Sequence, residues 1–189
     1  MRITGGVLGG RNLRTPEDRR VRPTADKVRQ AIFNILRHHA FSGGFELQDI
    51  RAIDLFAGTG ALGIEAISQG AQYCLFVDDS ADSRALVREN IEALQLTGAS
   101  KIWRRDATEL GPMGSGAGGP FGLAFLDPPY RKDLVGPALA ALIEGEWLAP
   151  GAVAVVETAA EEDTPPHDGF VLCDERMYGE TRVQFLERA

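Results

Sequence analysis

The sequence predicts an α/β protein built on a doubly wound, largely parallel sheet with helices on both faces. Two observations predict this class. From residue 50 onward, short apolar runs alternate with stretches of helical periodicity. A G-x-G-x-x-G pattern, Gly58 to Gly63, also lies directly between the first such run and the helix after it. With 189 residues, 44% hydrophobic and 25% charged, the chain has the size and composition of one soluble globular domain with an appendage.

The N-terminal part precedes this alternation. Residues 1–15 carry two Gly-Gly pairs between short apolar pieces, which predicts a glycine-rich hairpin. A polar, arginine-rich loop follows, and Thr24 is the expected N-cap of a helix over 25–38. Val28, Ile32 and Leu36 recur at helical spacing in that helix, so we expect them to face the core.

The α/β part begins near residue 50, and its expected segments are bounded by glycine, proline and acidic residues. Residues 111–119 are rich in glycine and are expected to form a flexible surface loop. The expected strands cover residues 50–56, 74–78, 101–104, 121–126, 152–157, 169–174 and 182–187, and the expected helices cover 61–69, 81–96 and 133–144.

Composition limits the classes of function. No apolar run approaches the roughly 20 residues of a membrane helix, and no signal peptide is recognisable, so we expect a cytoplasmic protein. The two cysteines, Cys74 and Cys173, lie in apolar runs and are expected to be free thiols. The three histidines do not cluster with cysteine, so no zinc site is expected.

Charge is distributed unevenly along the chain. The net charge is −7, but residues 1–40 hold nine basic and three acidic residues, which gives +6 there and −13 over the other 149. A basic arm on an acidic body is typical of proteins in which one surface meets a polyanion. The alternative is a solvated charged face without a partner.

The glycine pattern predicts a nucleotide-like cofactor, since glycines allow a tight turn and close approach of a ligand to the backbone. Asp78 ends the next strand, where a carboxylate accepts from ribose hydroxyls, and is preferred over its neighbour Asp79. A dinucleotide and S-adenosylmethionine both fit this arrangement. Asp54, just before the glycines, repels a pyrophosphate but suits a cationic ligand, and Asp106 can accept from an adenine amino group. The pattern therefore favours S-adenosylmethionine.

The segment Asp127-Pro128-Pro129-Tyr130 follows the apolar run 121–126. Proline fixes φ and has no N–H to donate, so the chain leaves the sheet here along a stiff path. Ligands of open α/β sheets bind outside the carboxyl ends of the strands. A carboxylate, free carbonyls and an aromatic face at that place suit a planar group that bears an amino group.

These motifs resemble those of the class I amino-methyltransferases, whose fold is a Rossmann-like, mostly parallel seven-stranded sheet. The opening, from Arg2-Ile3 through Arg22-Pro23-Thr24 to Phe33-Asn34, is similar to that of the bacterial RsmD family, and Tyr178-Gly179-x-Thr181 extends the resemblance to the last strands. Members of that family methylate the exocyclic N2 of one guanine in 16S ribosomal RNA. The resemblance implies an RNA-binding extension over residues 1–40 and a methyltransferase domain over 41–189.

The resemblance also implies roles for individual residues. Asp127 and the Pro128 carbonyl would accept the two hydrogens of guanine N2, and Tyr130 would stack on the base. The small ribosomal subunit is the implied partner, without a metal, and nothing in the sequence requires more than a monomer. The implied cofactor-binding residues are Asp54, Phe56, Gly58, Gly60, Asp78 and Asp106, the implied catalytic residues are Asp127, Pro128, Pro129 and Tyr130, and the candidate RNA-binding residues are Arg11, Arg14, Arg19, Arg20, Arg22 and Arg29.

Three other functions stay open at this point. An N6-adenine DNA methyltransferase would use the same Asp-Pro-Pro-Tyr segment, although the chain has no room for a separate DNA-recognition domain. A nicotinamide-dependent oxidoreductase would explain the glycines but not Asp54 or Asp127. The third is a non-catalytic RNA-binding or assembly module that keeps the cofactor fold.

Overall fold

A seven-stranded sheet with helices on both faces forms the body of the protein in the computed structural model, which describes residues 1–17 and 23–189. The elements in chain order are α1 (Pro23–His38), β1 (Arg51–Leu55), α2 (Ala61–Ser68), β2 (Tyr73–Val77), α3 (Ala81–Ala93), β3 (Ser100–Trp103), β4 (Phe121–Leu126), α4 (Val135–Glu144), β5 (Leu148–Ala159), β6 (Phe170–Tyr178) and β7 (Thr181–Arg188).

The strand order is β3-β2-β1-β4-β5-β7-β6. Strands β1 to β5 are parallel, and β7 is antiparallel to both β5 and β6. The chain winds outward from β1 in one direction and from β4 in the other, so a topological switch point lies between these two strands. Ligands of such sheets bind in the crevice at the carboxyl ends of the strands around that point. The predicted fold class is confirmed.

The core consists of one apolar layer on each face of the sheet. Helices α1, α2 and α3 cover one face, where Leu123 and Phe125 of β4 point. Helix α4 and the segment before β4 cover the other face, where Ala124 and Leu126 point. Because β4 is buried on both faces, its sequence is a continuous apolar run rather than an alternating one.

The N-terminal part packs on the first of these layers. Residues 1–13 form a compact loop that is closed by one antiparallel bridge, Arg2 to Asn12, so the predicted hairpin is present without extended strands. Ile3 and Leu13 are buried in the same core layer as Val28, Ile32 and Leu36 of α1. Both parts of the chain share one core. The expected division near residue 40 into an RNA-binding extension and a methyltransferase domain stays a prediction. The Thr24 side chain lies outside the described residues.

Left-handed backbone conformations shift several predicted boundaries. Helix α3 ends at Ala93 rather than at 96, and Gln95 has φ 58°. Helix α4 begins two residues late, after Arg131 and Asp133 with φ 62° and 52°. Strands β6 and β7 run on to the turn at Gly179, where φ is +60°.

The glycine-rich segment 111–119 differs from its prediction. Its second half is attached to the amino-terminal ends of β1, β2 and β3. The Tyr73 hydroxyl donates to the Ala117 carbonyl (3.0 Å), Arg51 donates to that of Gly118 (2.9 Å) and Lys101 to that of Gly116 (2.8 Å). The expectation of a flexible loop is therefore wrong for residues 116–118, because their carbonyls accept from side chains of three strands.

None of the helices in the described part of the chain is both long and apolar enough to cross a membrane.

Candidate active site

The glycine turn between β1 and α2 forms one wall of the candidate site. Phe56, Gly58 and Gly60 have φ of 56°, 59° and 80°, so the chain passes through the left-handed region three times within five residues. Glycine adopts this conformation without steric cost, which explains two of the three positions. At Gly63 the reason for glycine is different, because a Cβ there would lie 2.4 Å from the Phe76 ring. The third glycine therefore lets α2 pack directly on β2.

Asp54 supports this turn from inside the protein. It is buried, and one carboxylate oxygen accepts from the Gly63 N–H at 3.0 Å. Burial raises the pKa of Asp54 well above its usual value, and the charges of Asp127 and Asp78 raise it further, against the lowering effect of that hydrogen bond. Within the protein, Asp54 thus fixes the glycine turn. Its contact with a cofactor stays a prediction.

Asp78 holds the other side of the same turn. Its two carboxylate oxygens accept from the backbone N–H groups of Gly58 (3.0 Å) and Ser80 (2.9 Å). Since an ionised carboxylate has about four acceptor sites, Asp78 can still accept from a ligand. Asp79 beside it is exposed.

A small pocket joins several predicted cofactor residues at the carboxyl ends of β1, β2 and β3. Phe56, Asp78 and Asp106 line it together with Asp79. Hydrogen bonds from the Thr108 hydroxyl and N–H lower the pKa of Asp106, which therefore stays ionised at neutral pH. The pocket is acidic, with one cation in its wall. Its complete lining is Phe56, Val77, Asp78, Asp79, Arg105, Asp106 and Ala107.

The Asp-Pro-Pro-Tyr segment lies at the carboxyl end of β4, next to β1 in the sheet. Asp127 and Pro129 are exposed, and Pro128 is buried. The Tyr130 ring is 38% exposed, and its hydroxyl lies 3.2 Å from the Thr181 hydroxyl at the start of β7. Partial burial raises the pKa of Tyr130. The segment is thus fastened at its far end through Tyr130, and Asp127, Pro129 and part of Tyr130 are exposed.

Glu157 lies beside Asp127 and was not among the residues predicted for the site. Leu126 of β4 pairs with Val156 of β5, so Asp127 and Glu157 come next to each other at the edge of the sheet. Burial, followed by the charge of Asp127, raises the pKa of Glu157 to about 8, although Arg29 acts in the opposite direction. The signal was present in the sequence, since Glu157 follows the apolar run 152–156 just as Asp127 follows 121–126.

The predicted RNA-binding arginines divide into three groups. Arg11 and Arg14 are exposed, and Arg14 pairs with Glu89 at 3.1 Å. Arg29 is only 4% exposed, and its Nη2 donates to the Arg2 carbonyl and to Asp26. Arg29 is therefore corrected from a phosphate ligand to a buried structural cation, since a guanidinium enclosed by its own chain does not reach a backbone phosphate. Three further candidates, Arg19, Arg20 and Arg22, lie outside the described residues.

Two buried polar side chains fasten the N-terminal loop to the helices beside the glycine turn. Glu65 of α2 accepts from the N–H of Thr4 (3.0 Å) and from its hydroxyl. Asn90 of α3 accepts from the Arg14 N–H (2.7 Å) and donates to the carbonyls of Arg14 (3.1 Å) and Thr59 (2.9 Å). The side chain of Asn90 thus connects the exposed basic segment to the glycine turn.

Known proteins are similar to this chain over nearly its whole length. The family model described as "Conserved hypothetical protein 95" matches residues 1–187. The "Putative rRNA methyltransferase YlbH" of Bacillus subtilis is 34% identical, with 100% of this chain and 99% of the relative covered. The "Ribosomal RNA small subunit methyltransferase D" of Escherichia coli K12 is 33% identical, with 100% and 90% covered.

A solved structure leads to the same family. That of the "Putative methyltransferase yhhF" from Escherichia coli superposes with a TM-score of 0.82 at 27% identity, and the superposition covers 100% of this chain and 97% of that one. The chain therefore belongs to the family described as Conserved hypothetical protein 95, the bacterial RsmD family of class I methyltransferases.

Proposed function

We propose that the protein transfers a methyl group from S-adenosylmethionine to the exocyclic N2 of a guanine in 16S ribosomal RNA. The observation that carries this proposal is the position of Asp127-Pro128-Pro129-Tyr130. The segment lies at the switch point of the sheet, directly beside the glycine turn, and is fastened there through the Tyr130 hydroxyl. This position supports an amine acceptor next to a cofactor site at the carboxyl ends of neighbouring strands.

The residues around the turn fit S-adenosylmethionine better than a dinucleotide. The lining carries Asp78, Asp79 and Asp106 against one arginine, and Asp54 lies behind the turn. Such an acidic wall disfavours a pyrophosphate and favours a ligand with a sulfonium and an ammonium group. When bound, this cofactor supplies an electrophilic methyl group. Asp78 would accept from the ribose hydroxyls, Asp106 from the adenine amino group, and Phe56, Gly58 and Gly60 would shape the adjoining wall.

The proposed catalytic contribution of the protein is positioning. The Asp127 carboxylate and the Pro128 carbonyl would each accept one hydrogen of the guanine amino group, which holds the nitrogen and turns its lone pair toward the methyl group. Pro129 contributes stiffness, because its ring fixes φ where the chain leaves the sheet. The exposed part of the Tyr130 ring would stack on the base, as aromatic side chains do with an unstacked nucleobase.

The substrate would be guided by the basic N-terminal arm. Arg11 and Arg14 are exposed on the segment that Asn90 ties to the glycine turn. Together with Arg19, Arg20 and Arg22 they would bind RNA phosphates, contacts that fix the orientation of the RNA without reading its sequence. The names of the relatives support a ribosomal RNA of the small subunit as the substrate.

Methyl transfer from a labelled cofactor to several acceptors tests the proposal. The acceptors are unmodified small ribosomal subunits, free 16S RNA and DNA, and the product is identified by nucleoside mass spectrometry. We expect N2-methylguanosine from the subunit or from the RNA, which also shows which form is the substrate. N6-methyladenine in DNA would instead show the alternative amino-methyltransferase. Cofactor binding without any product would show a binding module.

A further inference from the structure

We propose that Glu157 is a further residue of the transfer site and that it forms, with Asp127, an acidic pair that takes up the proton released by the amine, with Arg29 of α1 as its counter-charge. This inference rests on the proposed function and deepens it. It assigns a role to a carboxylate that no motif marked and to a buried arginine that is not available to RNA.

Strand register places the two carboxylates together. β4 and β5 are parallel neighbours, and their last paired residues at this edge are Leu126 and Val156. The next residue of each strand is acidic. Side chains in register on parallel strands point to the same face, so the register continued by one residue places Asp127 beside Glu157 on the same side of the sheet, and the charge of Asp127 acts on Glu157. That side is the one covered by α1, because Phe125 and Val155, two residues earlier, pack in the α1 core layer.

The charged and titratable groups that act on Glu157 come from the elements around it. Asp127 and Tyr130 belong to the segment after β4, and Arg29 belongs to α1. On the other flank, β7 contributes uncharged Val183 as the register partner of Glu157. One cation thus opposes one neighbouring carboxylate, and two adjacent carboxylates do not both ionise at low cost.

Arg29 is held in place by the N-terminal loop. Its Nη2 donates to the Arg2 carbonyl and to Asp26 (2.9 Å), and Asp26 in turn accepts from the Arg2 N–H at 3.3 Å. Its Nε is buried and, within the described part of the chain, has no hydrogen-bond partner. Arg29 is thus ion-paired with Asp26 and keeps one buried donor without a partner, and its charge also acts on Glu157, where it favours the ionised carboxylate.

Methyl transfer forms one bond, breaks another and releases one proton. The N2 lone pair forms the N–CH₃ bond, the S–CH₃ bond breaks, and its electron pair stays on sulfur. Positive charge therefore moves from sulfur to nitrogen, and the nitrogen returns to neutrality by releasing one proton. Asp127, which accepts one N–H, receives that proton and passes it to Glu157, from which it leaves to water.

The surroundings favour this direction of transfer. Burial and the charge of Asp127 raise the pKa of Glu157 to about 8, so Glu157 holds a proton more firmly than an ordinary carboxyl group. The active form of Glu157 must be ionised, because it both accepts the proton and stabilises the positive charge that develops on nitrogen. The transfer rate should accordingly rise with pH through the ionisation of Glu157.

Single-turnover methyl transfer at saturating RNA and S-adenosylmethionine, followed from pH 6 to pH 9.5, tests this role. The unchanged protein should show an ascending limb that approaches about tenfold per pH unit below the pKa. A bound cationic cofactor favours the ionised form of Glu157 and therefore moves that limb to lower pH. The role of Glu157 is accordingly judged by comparing variants rather than by the pH at which the limb lies. Glu157→Gln should lose the limb and be at least about tenfold slower at pH 9. The matched control Glu144→Gln, at the exposed carboxyl end of α4, should keep the limb and the rate.

Two variants of Arg29 add an independent test. Because Arg29 lowers the pKa of Glu157, Arg29→Gln should move the limb to higher pH, whereas Arg29→Lys, which keeps the charge, should leave it close to its original position. Near-ultraviolet circular dichroism and cofactor affinity establish that each variant is folded. If Arg29→Gln does not fold, Glu157→Gln alone decides, since it is isosteric and removes only a charge.

The outcomes separate the two proposals. If the unchanged protein makes no N2-methylguanosine in any ribosomal RNA, the proposed function fails. If it does, but Glu157→Gln keeps the same pH profile or changes only the RNA concentration needed for half-maximal rate, the role of Glu157 is overturned while the proposed function stands.

Discussion

At the scale of single residues, the environment of each carboxylate decides what it can do. Asp54 and Asp78 accept from backbone N–H groups and hold the glycine turn, whereas Asp127 is exposed at the carboxyl end of β4. Glu157 is different again, because burial beside a second carboxylate disfavours its charged form. Carboxylates at equivalent strand ends therefore have different surroundings, and only Asp54 and Asp78 among these four accept from backbone N–H groups of the glycine turn in the contacts described above.

The raised pKa of Glu157 predicts a pH-dependent effect on stability. In the folded protein its pKa is about 8, against 4.5 in the unfolded chain. Below 4.5 both states are protonated, so Glu157 has no effect there. As pH rises toward 8, the unfolded state ionises at no cost while the folded state does not, so the native carboxyl group lowers stability progressively.

Replacing that carboxyl group should remove this cost. We expect Glu157→Gln to raise the melting temperature by several degrees at pH 8.5, at roughly 2–4 °C per kcal/mol for a chain of this size, and by little at pH 4.5. Thermal unfolding at both pH values measures the difference, with Glu144→Gln as the control. An equal shift at the two pH values would show that charge is not the cause.

Individual residues also show where sequence reasoning fails. The positions at or near the carboxyl ends of strands could be predicted, because strand ends and the glycine pattern mark them; the residues are Asp54, Phe56, Asp78, Asp106 and Asp127. Arg29 could not be placed, since a cationic side chain off the apolar stripe of a helix is usually solvated and only tertiary packing encloses it. Glu157 also follows an apolar run, but its place beside Asp127 could be inferred only once β5 was known to lie next to β4.

At the scale of elements, the glycine turn and the N-terminal loop behave as one unit. Asn90 of α3 is buried and makes three hydrogen bonds to backbone groups, one at Thr59 in the turn and two at Arg14 in the arm. Binding of cofactor in the turn and of RNA on the arm would therefore be linked through α3.

Removal of that side chain should loosen both elements. Asn90→Ala leaves buried backbone donors and acceptors unpaired, which we expect to lower the free energy of unfolding by about 2–3 kcal/mol and to weaken cofactor binding. The control Asn34→Ala, on the exposed face of α1, should change stability by less than about 0.5 kcal/mol. Denaturant unfolding and calorimetric titration give the two quantities. If a destabilised Asn90→Ala variant kept its full affinity for the cofactor, Asn90 would not link the arm to cofactor binding in the turn.

The order of strands and helices is largely readable from the sequence, because β/α alternation has two distinct hydrophobic periods. The boundaries of the strands and helices are less readable from the sequence. Helix α4 starts late because Arg131 and Asp133 adopt left-handed conformations, which arginine does not indicate and aspartate indicates only weakly. The attachment of residues 116–118 to the sheet could not be predicted, because composition says nothing about which side chains donate to their carbonyls.

At the scale of the whole molecule, the charge asymmetry predicts how binding depends on salt. A surface that neutralises phosphates releases counterions, and each lost contact lowers the slope of log K against log[salt] by roughly 0.7–0.9. We expect Arg11→Ala and Arg14→Ala to lower the slope for ribosomal RNA by about that amount each.

Filter-binding titrations between low and physiological salt measure this slope. Lys101→Ala removes one charge at the amino-terminal end of β3, opposite the crevice, and should leave the slope unchanged. Equal effects of Lys101 and the two arm arginines would show that binding responds to net charge alone, and the arm would lose its assigned role.

The most direct test of the central claim compares the unchanged protein with Asp127→Ala in cofactor binding and in methyl transfer to ribosomal RNA. The account predicts that Asp127→Ala binds S-adenosylmethionine with affinity close to that of the unchanged protein, because the cofactor is held by the glycine turn. It also predicts that N2-methylguanosine formation falls by at least about a hundredfold, because the amine loses its acceptor. Undiminished formation of N2-methylguanosine by Asp127→Ala would contradict the account.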